Sequence, residues 1–338
     1  MGLPVHRRRE EAPPVTEAAL VTIDEVRAAA ANLAGVVLRT PLVPFLAGPP
    51  RVLLKAESLQ PIGAFKIRGA YHAITSLSPA ERARGFVSHS SGNHAQGVAR
   101  AAKLLGVRAT IVMPSDAPAV KRRRVEADGA EIVTVGPASG EREAMAERLA
   151  DERGLVPIPP YDDDRIIAGQ GTVGLEISED VPDLAAVVVP IGGGGLASGT
   201  AVAVRALRPG ARIIGVEPEL AADARESLAA GEVVHWDASL TTRTMADGLR
   251  VEHLGRLPFI HLRRFMDEVV TVSEGQMRDA IRQLARGARL VVEPSGAAAM
   301  AAHLFGAAPQ PDGDDRRVVV ISGGNIDPAM LAEFLAPA

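Results

Sequence analysis

Between residues 86 and 159, short apolar runs alternate with amphipathic stretches, and the connections are only a few residues long. Phe86-Val87-Ser88-His89 reads as a strand, residues 93–105 as a helix, 109–113 as a strand and 119–128 as a helix. Residues 131–135, 141–153 and 155–159 continue the series as strand, helix and short strand. Strands separated by helices cannot pair as hairpins, so the pattern requires a parallel sheet covered by helices on both faces. A second series follows. After a helix-rich stretch at 169–177, residues 185–191 read Ala-Ala-Val-Val-Val-Pro-Ile, the composition of a strand buried on both faces. Residues 196–207 then form a helix, 212–216 a strand and 318–321 the last strand. Ahead of both series, Thr22 and Glu25 make a capping box for a helix reaching Leu33, residues 51–57 form a strand and 67–76 a helix. The economical architecture is α/β with two domains, each an open, mostly parallel sheet flanked by helices. A smaller domain of residues 76–161 is inserted into a larger one made of 21–75 and 162–338.

A chain of 338 residues is long enough for two such cores. Its net charge of −4 gives no bulk attraction to nucleic acid or an anionic membrane. The absence of cysteine excludes a disulfide scaffold, a thiolate zinc site and a cysteine nucleophile. Residues 1–20 carry His6-Arg7-Arg8-Arg9 without a following apolar region, so they are not a secretory signal, and their prolines and charges predict a disordered arm. The longest apolar run, 184–191, is too short to span a bilayer. These features predict a cytoplasmic enzyme acting on a small molecule, with no nucleic-acid or membrane partner.

Lysine is scarce. Lys55, Lys66, Lys103 and Lys121 are the only four, and arginine supplies the rest of the 37 cationic side chains. Lys103 and Lys121 sit in helical contexts that read as solvated faces, and Lys55 ends an apolar run where a salt bridge is the plain reading. Lys66 lies between Phe65 and Ile67, with Gly63 and Gly69 allowing other groups to approach. An amine in apolar surroundings loses its charge easily and can then form a Schiff base, although a buried ion pair would use the same residues. The second feature is Gly192, Gly193, Gly194 and Gly195 between a strand and a helix, which aims backbone N–H groups at one point and suits a phosphate. No Gly-Lys-Ser/Thr follows, so this is not a nucleoside-triphosphate loop. A dinucleotide site stays open, because Gly192, Gly194 and Ala197 fit Gly-x-Gly-x-x-Ala and Glu217 ends the next strand. Ser88-His89-Ser90-Ser91-Gly92-Asn93-His94 offers hydroxyls and a helix N-terminus to a carboxylate, or is an ordinary N-cap. Ser322-Gly323-Gly324-Asn325, taken alone, is a strand-end turn.

Together, in this order and spacing, the four stretches resemble the fold-type II pyridoxal-phosphate enzymes, a tryptophan synthase β-like fold, and within them the serine/threonine dehydratase and serine racemase group. The likeness runs over residues 22–335. It implies that Lys66 carries pyridoxal 5′-phosphate as a Schiff base, with Phe65 beside the ring. Gly192 to Gly195 would hold the phosphate, Asn93 the ring 3′-oxygen and Ser322 the ring nitrogen. Ser90, Ser91, Asn93 and His94 match substrate-carboxylate positions, and Ser91 also matches the serine that returns a proton in racemases. Arg142 roughly aligns with a carboxylate-contacting arginine, although a surface arginine is the commoner meaning. Glu217, Ala221 and Asp223 resemble a site for Mg²⁺, Mn²⁺ or Ca²⁺, built from two carboxylates, a carbonyl and water. Glu293 and the Asp247-Gly248 turn fall near the site in this family, without an assigned role. Ala64 stands where the family usually has serine, which removes one polar contact. The implied activity is elimination of water from L-threonine or L-serine, with a serine or aspartate racemase or a 3-hydroxyaspartate dehydratase as the alternative. A homodimer without an appended regulatory domain is expected.

Overall fold

Thr22 caps the first helix through the expected reciprocal bonds with Glu25, its hydroxyl accepting from Glu25 N–H and the Glu25 carboxylate accepting from Thr22 N–H. The computed structural model describes residues 8–10, 20–46, 52–90, 92–136, 139–309 and 316–336. In chain order, β1 (Arg8–Glu10), α1 (Ile23–Leu33), β2 (Leu42–Phe45), β3 (Val52–Ala56), α2 (Ile67–Thr75) and α3 (Pro79–Arg84) come first. The alternating region follows as β4 (Phe86–His89), α4 (Asn93–Leu105), β5 (Ala109–Pro114), α5 (Ala119–Ala127), β6 (Glu131–Val135), α6 (Ser139–Arg153) and β7 (Val156–Pro157). Next are α7 (Asp164–Asp180), β8 (Leu184–Pro190), α8 (Gly195–Leu207), β9 (Arg212–Pro218), α9 (Asp223–Ala230), β10 (Val233–His235) and α10 (Ala238–Thr241). The chain closes with α11 (Arg256–Phe265), β11 (Glu268–Val272), α12 (Glu274–Gln283), α13 (Pro294–Leu304), β12 (Arg316–Ile321) and α14 (Pro328–Leu335).

Two main sheets result. One has the order β11-β9-β8-β12-β3-β2, parallel except for β2, which runs antiparallel to β3. The other is β6-β5-β4-β7 and wholly parallel. Side-chain alternation divides each between two cores. Val188, Ile214 and Val319 pack with α12 and α13, while Val187, Val189, Ile213, Val318 and Val320 pack with α7, α8 and α11. In the smaller sheet Phe86, Ile111 and Met113 meet α2 and α4, whereas Val87 and Val112 meet α6. Each fully buried valine or isoleucine contributes about 1.5–3 kcal/mol. The architecture is therefore α/β with parallel sheets flanked by helices.

Helices α7 and α8 touch backbone to backbone. A Cβ on Gly199 would lie 2.2 Å from Ile167 O and 2.5 Å from Gly171 N, so only glycine permits this approach. The Gly-Gly-Gly-Gly turn at the start of α8 is thereby held at a fixed height above the sheet.

Two expectations change. Arg8–Glu10 pair antiparallel with β10 instead of forming part of a structureless arm, because an exposed strand edge accepts any extended segment. The remainder of that arm up to residue 19 lies outside the described residues. Lys121 is not on a solvated face: it is 2% exposed and lies between two carboxylates. Lys55, by contrast, makes the salt bridge its position suggested, to Glu176 at 2.5 Å. Among the described residues no helix is long and apolar enough to cross a membrane.

Candidate active site

The C-terminal ends of β4, β8 and β12 open into one cavity between the two sheets, as expected where helices start above a parallel sheet. Its wall includes Phe65, Lys66, Ser90, Asn93, His94, Gly192 to Gly195 and Ser322, so stretches far apart in the chain meet there. Ser91 lies outside the described residues.

Lys66 immediately precedes α2, and its Nζ donates to Pro160 O at 2.6 Å. The Phe65 ring centroid is 5.3 Å away. Among the described residues no carboxylate pairs with this amine, and burial alone lowers its pKa to about 7. A large share of the amine is therefore uncharged near neutral pH, unlike an ordinary lysine. His94, next to it, is pushed well below the usual imidazole range by burial and by the nearby Lys66. Its ring is neutral, with Nε2 donating to Ile158 O at 3.1 Å, which leaves Nδ1 as a buried acceptor without a partner.

Two helix N-termini face the cavity without side-chain caps. Helix α8 starts at Gly194, whose φ of 94° is a left-handed conformation that suits glycine, and no side chain bonds its first N–H groups. Helix α4 starts at Gly92, again uncapped; the Ser90 hydroxyl instead accepts from Gly92 N–H at 3.1 Å. The ordinary N-cap reading therefore does not hold for Ser90. Free N–H groups and the positive helix end favour an anion at each place. Glycine is also required sterically, since a Cβ on Gly193 would lie 2.1 Å from the Tyr161 ring. These residues fit a phosphorylated aldehyde: an uncharged amine for the carbonyl, a glycine cradle for the phosphate, and polar groups on Asn93 and Ser322 for the ring. The Ser322 hydroxyl is almost fully buried and makes only a long contact, 3.4 Å, to Ser295 O.

Lys121, Tyr161 and Arg250 escaped the sequence reading, whereas Arg142, Asp247 and Glu293 are residues it places near the site. Lys121 Nζ lies 2.6 Å from Asp247 and 2.9 Å from Glu293, and these two acids hold its pKa above the usual lysine value despite burial. Glu293 accepts from Asn93 Nδ2 at 2.5 Å, and Asn325 Nδ2 donates to Asn93 Oδ1 at 2.9 Å. The scarcity of lysine was the available signal for Lys121, masked by the arginines that follow it. Tyr161, Arg142 and Arg250 also line the cavity. Arg142 is pulled below the ordinary arginine range by burial, with Asp116 and Glu252 opposing the shift.

Glu217 and Asp223 come together away from this cavity. Glu217 accepts from the N–H groups of Ala224 and Arg225 at 2.9 and 2.8 Å, capping α9. Burial raises its pKa to about 8, and burial with the nearby Glu217 raises Asp223 as well. Neither Asp223 oxygen has a well-formed hydrogen bond, its own backbone N–H and that of Leu254 giving only weak favourable contacts. Two buried carboxylates so arranged suit a cation. Among the described residues no three His, Cys, Asp or Glu side chains gather at one point, so the Ala221 carbonyl and water would have to complete its shell.

Comparison with known proteins agrees with this geometry. Residues 33–323 match the family described as pyridoxal-phosphate dependent enzyme. The chain is 42% identical over 287 residues to the L-threo-3-hydroxyaspartate ammonia-lyase of Saccharomyces cerevisiae, covering 85% of this chain and 86% of that one. It is 42% identical over 322 residues to the L-threonine ammonia-lyase of Thermotoga maritima, covering 94% and 78% respectively. Among solved structures, maize serine racemase superposes with a TM-score of 0.87 at 39% identity, covering 93% of this chain and 96% of that one.

Proposed function

Since the chain belongs to the pyridoxal-phosphate dependent enzyme family, we propose that it removes water from a β-hydroxy amino acid, L-threonine or L-serine, to release a 2-oxo acid and ammonia. The observation that carries this reading is a buried Lys66 amine, its pKa lowered by burial, sharing one cavity with an uncapped glycine cradle.

Under this reading the N–H groups of Gly192 to Gly195 hold the cofactor's phosphate, Asn93 faces the ring oxygen, Ser322 the ring nitrogen, and Phe65 lies beside the ring. When bound, pyridoxal phosphate supplies an electron-poor ring conjugated with the substrate nitrogen, which makes the Cα hydrogen acidic. The Ser90 hydroxyl and the backbone N–H groups of Asn93 and His94, at the start of α4, take the substrate carboxylate. Lys66 Nζ, about half uncharged at pH 7 and more so above it, takes the Cα proton. The β-hydroxyl leaves the neighbouring carbon together with a proton, as water, and water added to the resulting enamine releases ammonia and the 2-oxo acid. Ser322 is neutral, so it does not hold a proton on the ring nitrogen as a carboxylate would, which favours prompt elimination over transamination.

Borohydride reduction of protein mixed with pyridoxal 5′-phosphate, followed by peptide mass spectrometry, should place the label on Lys66. Lys66→Ala should lose both the label and ammonia release from L-threonine. Labelling of another lysine would defeat the assignment.

A second reading is favoured by Arg142, a guanidinium on the cavity wall that a side-chain carboxylate would complement. It predicts 3-hydroxyaspartate or aspartate as substrate, acted on by elimination or by racemisation with Ser91 as the second proton carrier. Rates on L-threonine and L-threo-3-hydroxyaspartate, and their change in Arg142→Met, separate the two readings. Loss confined to the acidic substrate supports the second. We also propose a divalent cation at Glu217, Asp223 and the Ala221 carbonyl, on the strength of the partnerless Asp223 oxygens.

A further inference from the structure

Asn93 stands in a hydrogen-bonded series whose polarity can be read from its ends. At one end Arg124 Nη1 donates to Asn325 Oδ1, and a guanidinium has only donors. Asn325 must therefore turn its oxygen to Arg124 and its nitrogen the other way. That nitrogen donates to two acceptors, Ile62 O and Asn93 Oδ1, each at 2.9 Å. Asn93 in turn has its nitrogen toward Glu293 Oε1. Here the series ends on a group that, when ionised, only accepts. Glu293 is 1% exposed, so burial favours its neutral form, and the Lys121 ammonium 2.9 Å away opposes that. The space for the carboxylate comes from Gly323, where a Cβ would lie 2.1 Å from Glu293 Oε1. An amide flip anywhere in the series would face two donors or two acceptors together, costing about 1–3 kcal/mol for each unmade bond.

We propose that Asn325 and Glu293 are positioning residues that lock the Asn93 amide so that its remaining N–H, and not its oxygen, faces the cavity. A donor-only contact there selects a deprotonated oxygen on the cofactor ring. The proton balance of the ring is then set from Arg124, Asn325, Glu293 and Lys121. This inference rests on the reading that Asn93 faces the cofactor's ring oxygen. With Asn93 itself these residues belong to four separate stretches: α5 for Lys121 and Arg124, the turn after β12 for Asn325, the N-cap of α13 for Glu293 and the first position of α4 for Asn93.

The test uses the full-length protein loaded with pyridoxal 5′-phosphate, with the absorption spectrum and the cofactor dissociation constant as readouts. Wild-type protein that fails to load, or that loads away from Lys66, defeats the functional reading itself, so the two failures are distinct. Given loading, Glu293→Gln leaves a single acceptor oxygen where Asn93 and Lys121 each need one, and turns an NH2 toward one of these donors. The long-wavelength absorption should then lose intensity to the shorter-wavelength band of the ring-protonated form, with cofactor binding weakened about tenfold. Asn325→Asp keeps an acceptor for Arg124 but offers Asn93 an acceptor in place of a donor. Asn93 then meets an acceptor on both sides and loses its fixed orientation, so the band shift should exceed that of Asn325→Ala, which merely removes the contact. A purely structural role would lower stability and leave the spectrum unchanged. Unchanged band ratios in Glu293→Gln and Asn325→Asp overturn the proposal, and should Glu293→Gln not fold, the order Asp above Ala at position 325 decides alone.

Discussion

Lys66 is unusual for what it lacks. The other buried lysines have acids within 3 Å, Lys55 with Glu176 and Lys121 with Asp247 and Glu293, whereas Lys66, among the described residues, has only the Pro160 carbonyl. Its charged form is disfavoured by desolvation without an opposing anion, so its pKa falls to about 7. An uncharged amine is the one that attacks an aldehyde. The rate of imine formation by apo-protein should rise about tenfold per pH unit below pH 7 and level off above it. A rate that keeps climbing beyond pH 9 would show an ordinary lysine. At Gly193 the argument is steric. Gly193→Ala puts a methyl 2.1 Å from the Tyr161 ring, so cofactor affinity should fall at least about tenfold, and adding Tyr161→Ala should restore part of it. Equilibrium titration with the cofactor reads both. Lys66 was legible in the sequence because lysine is rare and its neighbours are apolar. Lys121 was not, because three arginines follow it and the acids that bury it come from residues 126 and 172 positions later.

The elements that aim these residues differ in how plainly the sequence announces them. β4, α4, β5 and β6 lie in the alternating region, and periodicity located them to within a residue. β2, β10 and β11 gave no such signal. β2 contains Pro44 and sits at a sheet edge, β10 has three residues, and β11 is an edge strand that is only half buried. A short or half-covered strand needs little apolar alternation, so it leaves little pattern. Contact between α7 and α8 was likewise hidden, since glycines in a helix read locally as weak helix formers. Their purpose appears only when the two backbones meet. Gly199→Ala should therefore destabilise the protein by about 1–3 kcal/mol in urea denaturation, because its new methyl meets backbone atoms on α7 that cannot step aside. Gly140→Ala near the start of α6 has open space around the new methyl and should leave stability unchanged or slightly higher. A gain in Gly199→Ala equal to that in Gly140→Ala would mean that helix propensity, not close approach, governs α8.

Across the whole molecule, the proposed cation site and the phosphate cradle are joined by one short segment. Asp223 lies against the Leu254 N–H, and the Leu254 side chain packs on Gly194, where an added Cβ would be 3.0 Å away. The next residue, Gly255, donates its N–H to Gly193 O at 3.2 Å. Asp162, one residue after Tyr161, accepts from the N–H groups of Arg256 and Leu257 at 3.0 and 2.8 Å. Residues 254–257 thus tie the acidic pair to the cradle and to the strand exit that carries Pro160 and Tyr161. A cation held by Glu217 and Asp223 neutralises two buried acids and fixes this segment. Its removal should act on both the fold and the cofactor. For a cation present at a hundred times its dissociation constant, chelation should cost about 2.7 kcal/mol, which is about 4 °C in Tm for a chain of this length. It should also raise the cofactor dissociation constant several-fold. Glu217→Gln should strongly weaken the response to added cation in both measurements, because one of the two anionic ligands is lost. If chelation lowers Tm while cofactor affinity stays constant, residues 254–257 do not transmit the effect, and the two sites stabilise the molecule independently.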